Sequence, residues 1–436
     1  MSTKNKFGIT LSLIVCAVLA VVALGPSGMA TATPPAMPVA APASAPTVNP
    51  NGTVTFSLRA PGASHVYLNF ENMPGRSNAY NSYPMTDDGS GVWSITIGPT
   101  VPGLMGWTNP PAPLTPNLYG YGFNVDGNPP VEGCGSGPGT TLTTTCRASG
   151  GVNIADPANR DIALWSTSQW SNVFVPGPAA DFTADALVPH GAWGTVRYFS
   201  NLTQTERQMQ VYTPPGYNHD NRVYPVLYIL HGMGGNDTDW FAAMRANYIL
   251  DNLIAQGQAV PMLIVSPDTT PWNPAPTVVT QDGFLQELMG SIVPYIEQNY
   301  RTAPGAKNRA LAGLSMGSNH TRNVMLNYPH DFAYFGLYSS GAMSNATIAD
   351  LVQNHENLLT DLATSKDVKL IWINEGAQEA EAFPSVEAQL INTLALYDQY
   401  GVKYTYVLGA QIGAVGGHVW DTWRKDLFTF APQLFK

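Results

Sequence analysis

The chain has 436 residues, which exceeds the size of one ordinary hydrophobic core and predicts two domains. Only 11% of the residues are charged, the formal net charge is -10, and no run of Lys and Arg occurs anywhere. We therefore expect no nucleic-acid partner, because phosphate binding needs clustered cations. The 41 Gly and 36 Pro, in a chain that is 44% hydrophobic, predict many turns rather than disorder.

The N-terminal residues have the pattern of an export signal. Lys4 and Lys6 precede an apolar run over 7–24, and the small residues at 30–32 offer a cleavage site. We predict a signal peptide over 1–32, hence a secreted protein, extracellular or periplasmic, with no stable membrane partner. The alternative is an uncleaved anchor, since the run approaches the length needed to span a bilayer.

Residues 33–48 are rich in Pro and Ala, which predicts an extended linker. After Gly52 the pattern changes to short alternating runs separated by Gly, Pro, Asn and Asp. This pattern is typical of a small antiparallel β-sandwich, which we predict over 49–178. The runs are TVTFSLRAP, HVYLNFE, GVWSITIGP and LYGYGFNVDG.

Two cysteines, Cys134 and Cys146, remain after removal of the signal, which contains Cys16. An even pair in an exported chain predicts one disulfide that closes a short loop. No CxxC or HExxH spacing accompanies the pair, so we expect neither a redox role nor a metal site.

Longer elements begin at about Leu187, where apolar strands alternate with helical segments. Strands that are apolar throughout predict a parallel sheet with helices on both faces, and we assign this domain to 179–436. Active sites in such sheets lie at the carboxyl ends of the strands. The predicted strands are VRYFSN, RQMQVYTPPGY, YPVLYILHG, MLIVSPD, RALAGLS, AYFGLYSSG, VKLIWINEG and KYTYVLG; the predicted helices are ANYILDNLIAQGQ, GFLQELMGSIVPYIEQNY and NHTRNVMLNYP.

A candidate nucleophile, Ser315, lies in the motif GLSMG. The motif is weak by itself in a chain so rich in Gly and Ser, but here it joins a predicted strand to a predicted helix, as a nucleophile elbow requires. Side chains at Gly313 or Gly317 would clash in so tight a turn. The N-terminus of the helix also supplies N–H groups where an oxyanion would form.

The candidate base is His418, in the Gly-rich segment AVGGHVWDTW after the last predicted strand. The chain order Ser, acid, His matches the α/β-hydrolase arrangement. We interpret His320, within the helix after Ser315, as structural, and His231 as a residue that shapes the turn after its strand. The remaining histidines carry no catalytic signal.

The acid is expected in the loop EGAQEAEAF, which offers Glu375, Glu379 and Glu381. Each of them, taken singly, is more typical of a solvated loop carboxylate than of a catalytic acid. The oxyanion hole needs two backbone donors, and we predict the N–H groups of Met316 and Met233.

Together these features resemble the esterase family that includes bacterial feruloyl esterases, acetylxylan esterases and other carbohydrate esterases of family one. The resemblance covers nearly all of 190–436 and implies an α/β-hydrolase fold with Ser315 as nucleophile and His418 as base. The family's acid is usually an Asp in a Gly-x-x-Asp turn; here the corresponding residue is Glu379, one methylene longer. The elbow also differs, with Ser318 where a third glycine is common. The matching stretches include RQMQVYTPPGY, YPVLYILHGMGGNDTDW, AGLSMG and GGHVWDTWRKDLFTFAPQLF.

The first domain resembles the early-set, immunoglobulin-like β-sandwich that often precedes such esterases. The likeness rests on GVWSITIGP, YGYGFNVDG and the later DPAN. Compared with that pattern, GWTNPPAPLTP and the cysteine-bounded loop are insertions. The resemblance leaves open whether this domain binds glycan or has a structural role.

We therefore predict a secreted serine esterase that removes feruloyl or acetyl groups from plant cell-wall polysaccharide through a Ser-His-Glu triad, without cofactor or metal. Its partner would be an ester-substituted polysaccharide or a small aromatic ester. Trp272 and Trp420, with Trp423, are predicted to line an aromatic acyl pocket; core or rim packing is the alternative. Alternative functions are a polyester or general carboxylesterase, a sugar acyltransferase, and a catalytically inactive glycan-binding protein.

Overall fold

A computed structural model describes residues 44–70, 81–97, 114–129, 148–165, 168–273, 276–414 and 416–436. All of them belong to one compact unit, Pro38–Lys436. The predicted signal peptide, most of the linker, the Cys134–Cys146 pair and most of the segment GWTNPPAPLTP lie outside the described residues. Within the described ranges, no helix combines the length and the apolar character needed to cross a lipid bilayer.

The N-terminal part forms two antiparallel sheets with one shared core. Its strands are β1 (Thr47–Val48), β2 (Val54–Arg59), β3 (Val66–Phe70), β4 (Asn81–Pro84), β5 (Thr86–Asp87), β6 (Val92–Ile97), β7 (Asn117–Val125), β8 (Val152–Ile154), β9 (Ile162–Trp165) and β10 (Ser168–Val175). The sheet orders are β1-β2-β6-β5 and β4-β3-β7-β10-β9, with β8 beside β7. Phe56 of the first sheet contacts Phe70 and Tyr121 of the second, so the two inner faces pack together.

The C-terminal part is built on an eight-stranded mixed sheet. Its strands are β11 (Ala192–Ser200), β12 (Thr205–Thr213), β13 (Val226–Leu230), β14 (Leu263–Pro267), β15 (Arg309–Leu314), β16 (Tyr334–Tyr338), β17 (Leu370–Glu375) and β18 (Thr405–Leu408). Their order is β11-β12-β14-β13-β15-β16-β17-β18. Each of the eight predicted strands is present. The sheet is parallel from β14 to β18, whereas β12 is antiparallel to both β11 and β14. A short turn joins β11 to β12 and forces this antiparallel start.

Helices cover both faces of the large sheet, as the apolar strands predict. They are α1 (Asp239–Ala242), α2 (Ala246–Ala255), α3 (Gly283–Glu287), α4 (Val293–Asn299), α5 (Met316–Asn327), α6 (Asn345–Asn354), α7 (Glu356–Thr364), α8 (Glu379–Ala382), α9 (Pro384–Tyr400) and α10 (Trp420–Phe430). The single long helix predicted after β14 is α3 and α4, joined by the π-helical segment Leu288–Ile292. This arrangement of sheet and helices is the α/β-hydrolase fold.

Strand β13 shows how one run of apolar residues supports two cores. Tyr228 and Leu230 belong to the core on one face of the sheet, and Leu227 and Ile229 belong to the core on the other. Successive strand side chains point to opposite faces, so a strand covered by helices on both sides must be apolar at every position. All five residues of β13 are buried.

A completely buried arginine, Arg424 of α10, joins the large sheet's helices to the N-terminal strands. Its guanidinium donates from Nη1 to the carbonyl of Leu118 in β7 (2.7 Å) and from Nη2 to the carbonyl of Ala243 (2.7 Å). Asn172 of β10 adds a bond to the carbonyl of Ala242 (2.9 Å). Buried carbonyl groups need such donors, because leaving them without partners costs free energy.

Replacing Arg424 with Met should therefore lower stability strongly. The substitution keeps an apolar stem but leaves the carbonyls of Leu118 and Ala243 without these donors. We expect a loss of on the order of 2–5 kcal/mol in the free energy of unfolding, measured by urea denaturation. The control is Arg222→Met, which removes an exposed guanidinium paired with Asp220 and should cost less than about 1 kcal/mol. Equal losses in the two variants would contradict this assignment.

Candidate active site

Ser315 lies on a sharp turn between β15 and α5. Its backbone has φ 53° and ψ -113°, a combination that non-glycine residues rarely adopt. The N–H of Ser315 donates to the carbonyl of Tyr338 in the neighbouring strand β16 (2.9 Å), which fixes the turn against the sheet. Strain of this kind costs about 1–3 kcal/mol and persists where the surrounding structure imposes it. The side chain is partly exposed at the carboxyl end of β15.

The two glycines that flank Ser315 leave no room for a side chain. A Cβ on Gly313 would lie 2.4 Å from the carbonyl carbon of Gly317, and a Cβ on Gly317 would lie 2.6 Å from the carbonyl oxygens of Leu230 and His231. Glycine is therefore required at both positions because a side chain would clash there, and not because of the backbone dihedral angles. The first turn of α5 can then pack directly on the end of β13.

His418 and Glu379 meet at the same edge of the sheet. His418 lies in the loop between β18 and α10, and Glu379 begins α8, just after β17. The imidazole Nδ1 is 3.3 Å from Oε1 of Glu379, whose side chain is almost completely buried. This distance is longer than a well-formed hydrogen bond; catalytic hydrogen bonds of this kind often tighten when substrate binds.

Backbone hydrogen bonds join the two loops that carry this pair. The N–H of Ala377 donates to the carbonyl of Ala414 (3.1 Å), and the N–H of Gln378 donates to the carbonyl of Gly416 (3.2 Å). A Cβ on Gly376 would lie 2.6 Å from the carbonyl oxygen of Gly416, so glycine is required for this close approach. The loop after β17 thus holds the His418 loop in place.

Two aromatic rings enclose the imidazole of His418. The ring of Trp423 is perpendicular to it with a centroid distance of 5.0 Å, and Phe383 packs edge-on at 5.4 Å. Trp423 is itself fixed, because its Nε1 donates to Oγ of Ser339 at the end of β16 (2.8 Å). These contacts restrict the orientation of the imidazole, which is only about a quarter exposed.

Ser315, His418 and Glu379 all line one cavity of about 250 Å³. The carboxyl ends of β13, β15, β16 and β17 border it, and its wall is largely apolar, including Met233, Met316, Phe383 and Val386. Among the residues that the structure describes, no three His, Cys, Asp or Glu side chains come together in a way that would hold a metal ion.

The two residues predicted as oxyanion donors, Met233 and Met316, both line this cavity. Met316 is the first residue of α5, and N–H groups in the first turn of a helix have no intrahelical acceptor. Met233 lies on the loop after β13 with its side chain three-quarters exposed. His231 fixes that loop: its buried ring accepts from the N–H of Thr269 at Nε2 (3.0 Å), which leaves Nδ1 to donate to the carbonyl of Gly232 (2.8 Å).

The second acidic candidate, Glu375, ends β17 and is buried in the cavity wall. Burial, a hydrogen bond shared with Glu387 and the charge of Glu379 raise the pKa of Glu375 to about 9. Glu375 is therefore protonated at neutral pH. The third candidate, Glu381, lies in α8, but its side chain is outside the described part of the chain.

Trp272 and Trp420 lie apart from the described lining of this cavity. Trp272 packs between the guanidinium of Arg207, 4.5 Å from the ring centroid, and Phe284. Trp420 begins α10 and is buried in the core on that face of the sheet. The tryptophan that touches the candidate site is Trp423.

His320, which we interpreted as structural, is completely buried in α5. Its Nδ1 lies 2.7 Å from Oδ2 of Asp282, the residue that caps the N-terminus of α3. Asn323 of α5 donates to the same carboxylate oxygen (2.9 Å). His320 therefore joins α5 to α3 and does not face the cavity.

Comparison with known proteins identifies the family. Residues 200–434 match the family model described as "Putative esterase". The chain belongs to this esterase family. The chain is 27% identical over 398 residues to an endo-1,4-beta-xylanase/feruloyl esterase of Xylanibacter ruminicola, covering 89% of this chain and 46% of that protein.

Two further matches were found. Endo-1,4-beta-xylanase Y of Acetivibrio thermocellus is 31% identical over 243 residues, which cover 52% of this chain and 22% of the relative. The chain thus spans less than half the length of either curated relative. The solved structure of an enterobactin esterase from Shigella flexneri is similar in fold, with a TM-score of 0.53, 16% identity, and coverage of 87% of this chain and 92% of that one.

Sequence reasoning missed six residues of the cavity, among them Ser339, Phe383 and Glu387. Ser339 lies in the predicted strand AYFGLYSSG, but the pattern of that strand assigned it no role in a site. Phe383 and Glu387 follow Glu379 at intervals of four, a spacing that places residues on one side of consecutive helical turns. That spacing was the feature of the sequence from which Phe383 and Glu387 could have been predicted to lie near Glu379.

Replacing Glu375 with Gln should stabilise the protein increasingly as the pH rises. From its ordinary pKa of 4.5 up to about 9, the folded protein holds a proton on Glu375 that the unfolded chain has lost, so wild-type stability falls with pH. Glutamine has no such proton. We expect the stability difference between variant and wild type to grow by on the order of 1–3 kcal/mol between about pH 5 and pH 8, measured by thermal unfolding.

The matched control for this experiment is Glu356→Gln, at an exposed position in α7. Its effect on stability should be small at each pH in this range. A Glu375→Gln difference that stays constant with pH would mean that Glu375 is ionised in the folded protein.

Trp423 offers a test of how His418 is positioned. Trp423→Phe keeps a ring beside the imidazole but loses the hydrogen bond to Ser339, whereas Trp423→Leu loses both. We expect kcat for ester hydrolysis to fall by roughly threefold to tenfold in Trp423→Phe and further in Trp423→Leu, with KM little changed. A rise in KM at unchanged kcat would show instead that Trp423 contacts the substrate.

Proposed function

We propose that the protein is a serine carboxylic-ester hydrolase with Ser315 as nucleophile, His418 as general base and Glu379 as the acid that orients the base. One observation carries the proposal. The strained turn of Ser315 opens into the same cavity as His418, and the far ring nitrogen of His418 is 3.3 Å from a buried carboxylate. Nucleophile, base and orienting acid in this order along the chain are the elements of a catalytic triad.

The reaction follows from these roles. Nε2 of His418 removes the proton of the Ser315 hydroxyl as Oγ bonds to the ester carbonyl carbon. The oxyanion accepts hydrogen bonds from the N–H groups of Met233 and Met316. When the C–O bond to the alcohol breaks, His418 gives its proton to the leaving oxygen and Ser315 stays acylated. Water then attacks the acyl group with His418 as base, which releases the carboxylic acid and restores Ser315.

Glu379 acts through His418 rather than on the substrate. Its carboxylate accepts a hydrogen bond from the Nδ1–H group, which fixes the tautomer that leaves Nε2 free to act as base, and it stabilises the imidazolium formed during attack. Its burial supports this role, because a carboxylate screened from water interacts more strongly with the charged imidazole.

For the substrate, we propose feruloyl or acetyl esters on plant cell-wall polysaccharide. The names of the two xylanase relatives, one of them also a feruloyl esterase, support this class. The apolar cavity wall of Met233, Met316, Phe383 and Val386 supports binding of an acyl group. Polyester or other carboxylic esters would use the same residues and are distinguished by assay.

Three further features belong to this proposal. We infer that the N-terminal sheets over 49–178 form an early-set β-sandwich domain ahead of an esterase domain over 179–436, which their shared apolar core supports. We propose export through a signal peptide over 1–32 followed by a linker over 33–48. A disulfide between Cys134 and Cys146 would fit an exported protein.

The central experiment compares wild type with Ser315→Ala and Glu379→Gln on methyl ferulate, acetylated xylan and p-nitrophenyl acetate. Ser315→Ala should lower kcat by about four orders of magnitude, and Glu379→Gln by roughly a hundredfold to ten-thousandfold. Ser385→Ala, at an exposed serine of α9, is the matched control and should retain wild-type activity.

The outcomes separate the alternatives. Activity retained in Ser315→Ala would refute the nucleophile assignment. Wild-type protein that hydrolyses none of the three esters would refute the enzymatic function. Comparison of ferulate and acetate release decides between the two acyl groups, and hydrolysis of the p-nitrophenyl ester only would favour a general carboxylesterase.

A further inference from the structure

The proposed triad uses one of three carboxyl groups in the cavity. Glu375 and Glu387 also line it, and the mechanism gives them no role. Glu375 ends β17, whereas Glu387 lies in the first turn of α9, so two separate elements bring them together. Of the described residues that line the cavity, none is Lys or Arg.

Both carboxyl groups line the cavity, and burial together with the neighbouring carboxyl groups raises the pKa of Glu375 to about 9. Glu375, the more buried of the two, therefore keeps its proton at neutral pH. The other titratable groups facing the pair are Glu379 with its partner His418, and Tyr406 of β18, whose pKa is raised by burial and by the carboxylates nearby. No Lys or Arg among the described lining residues offsets the acidic side chain of Glu387.

This charge lies where an acyl group would bind. The cavity is small, and most of its remaining wall is apolar, so a bound acyl group displaces water from around Glu387. Removing water strengthens the interaction between charges, and a second anion close to Glu387 is therefore disfavoured. A carboxylate also has no proton to donate to Glu387, whereas an uncharged amide or hydroxyl has one.

We propose that Glu375 and Glu387 set the charge specificity of the site, so that it accepts uncharged acyl groups and rejects acyl groups that carry a carboxylate. This inference rests on the proposed function of Ser315, His418 and Glu379. It concerns which esters the site hydrolyses, not whether it hydrolyses esters.

The test uses two p-nitrophenyl esters of equal length and shape that differ by one charge. The hemiadipate ends in a carboxylate, and the adipamate ends in the corresponding amide. Wild-type protein at pH 7 should have a kcat/KM at least roughly tenfold higher for the amide. In Glu387→Gln this preference should fall to about threefold or less, because the charge is removed.

A charge-reversal variant is expected to reverse the preference between the two esters, and a misfolded protein would not show such a reversal. Glu387→Lys should prefer the hemiadipate over the adipamate, since the cation now attracts the carboxylate. The preference is a ratio measured within each variant, so differences in the amount of active protein cancel. Glu356→Gln, an exposed carboxylate in α7, is the matched control and should keep the wild-type preference.

Each outcome has one meaning. Equal wild-type hydrolysis of the two esters would overturn the charge specificity while leaving the proposed esterase function intact. A preference that survives in both Glu387→Gln and Glu387→Lys would show that other groups cause it, and would also overturn the inference. Wild-type protein inactive on both esters and on p-nitrophenyl acetate would instead refute the proposed function itself.

Discussion

The close packing of the first turn of α5 on the end of β13 is the constraint on which the candidate site depends. It exists only because Gly313 and Gly317 have no side chains. That contact forces Ser315 into its strained backbone conformation and points the N-terminus of the helix at the cavity. It also brings the carbonyl of His231 against the helix, which fixes the loop that carries Met233. Nucleophile and both proposed oxyanion donors therefore follow from one backbone contact.

The other half of the site contains two buried glutamates, Glu379 and Glu375, that have different neighbours. Glu379 is buried beside an imidazole, whereas Glu375 is buried beside other carboxyl groups and keeps its proton. The two are four residues apart, yet β17 ends and α8 begins between them, so they face different partners. Environment rather than residue type distinguishes them, as in other active sites where paired acids divide their functions.

Much of this arrangement could be predicted from the local sequence, because apolar strands, helical spacing and the turn around Ser315 are properties of short segments. His418 followed from chain order, and the choice of Glu379 among three glutamates needed the resemblance to a family. Contacts between residues that lie far apart along the chain could not be predicted from the sequence. Trp272 packs on Arg207, and Trp423 reaches Ser339 across 84 positions. No pattern along the chain indicates which tryptophan has which neighbour. The predicted acyl pocket named Trp272, Trp420 and Trp423; of these three, Trp423 packs against His418, together with Phe383.

The buried guanidinium of Arg424 limits how this protein can be divided. Helix α10 begins two residues after His418, and four residues further on Arg424 holds the carbonyl of Leu118 in β7. A C-terminal fragment prepared without the N-terminal strands would present that charge, and the apolar surface around it, to solvent six residues after His418. A module-swapping design that grafts the C-terminal part onto another carrier must therefore redesign α10 together with the new junction.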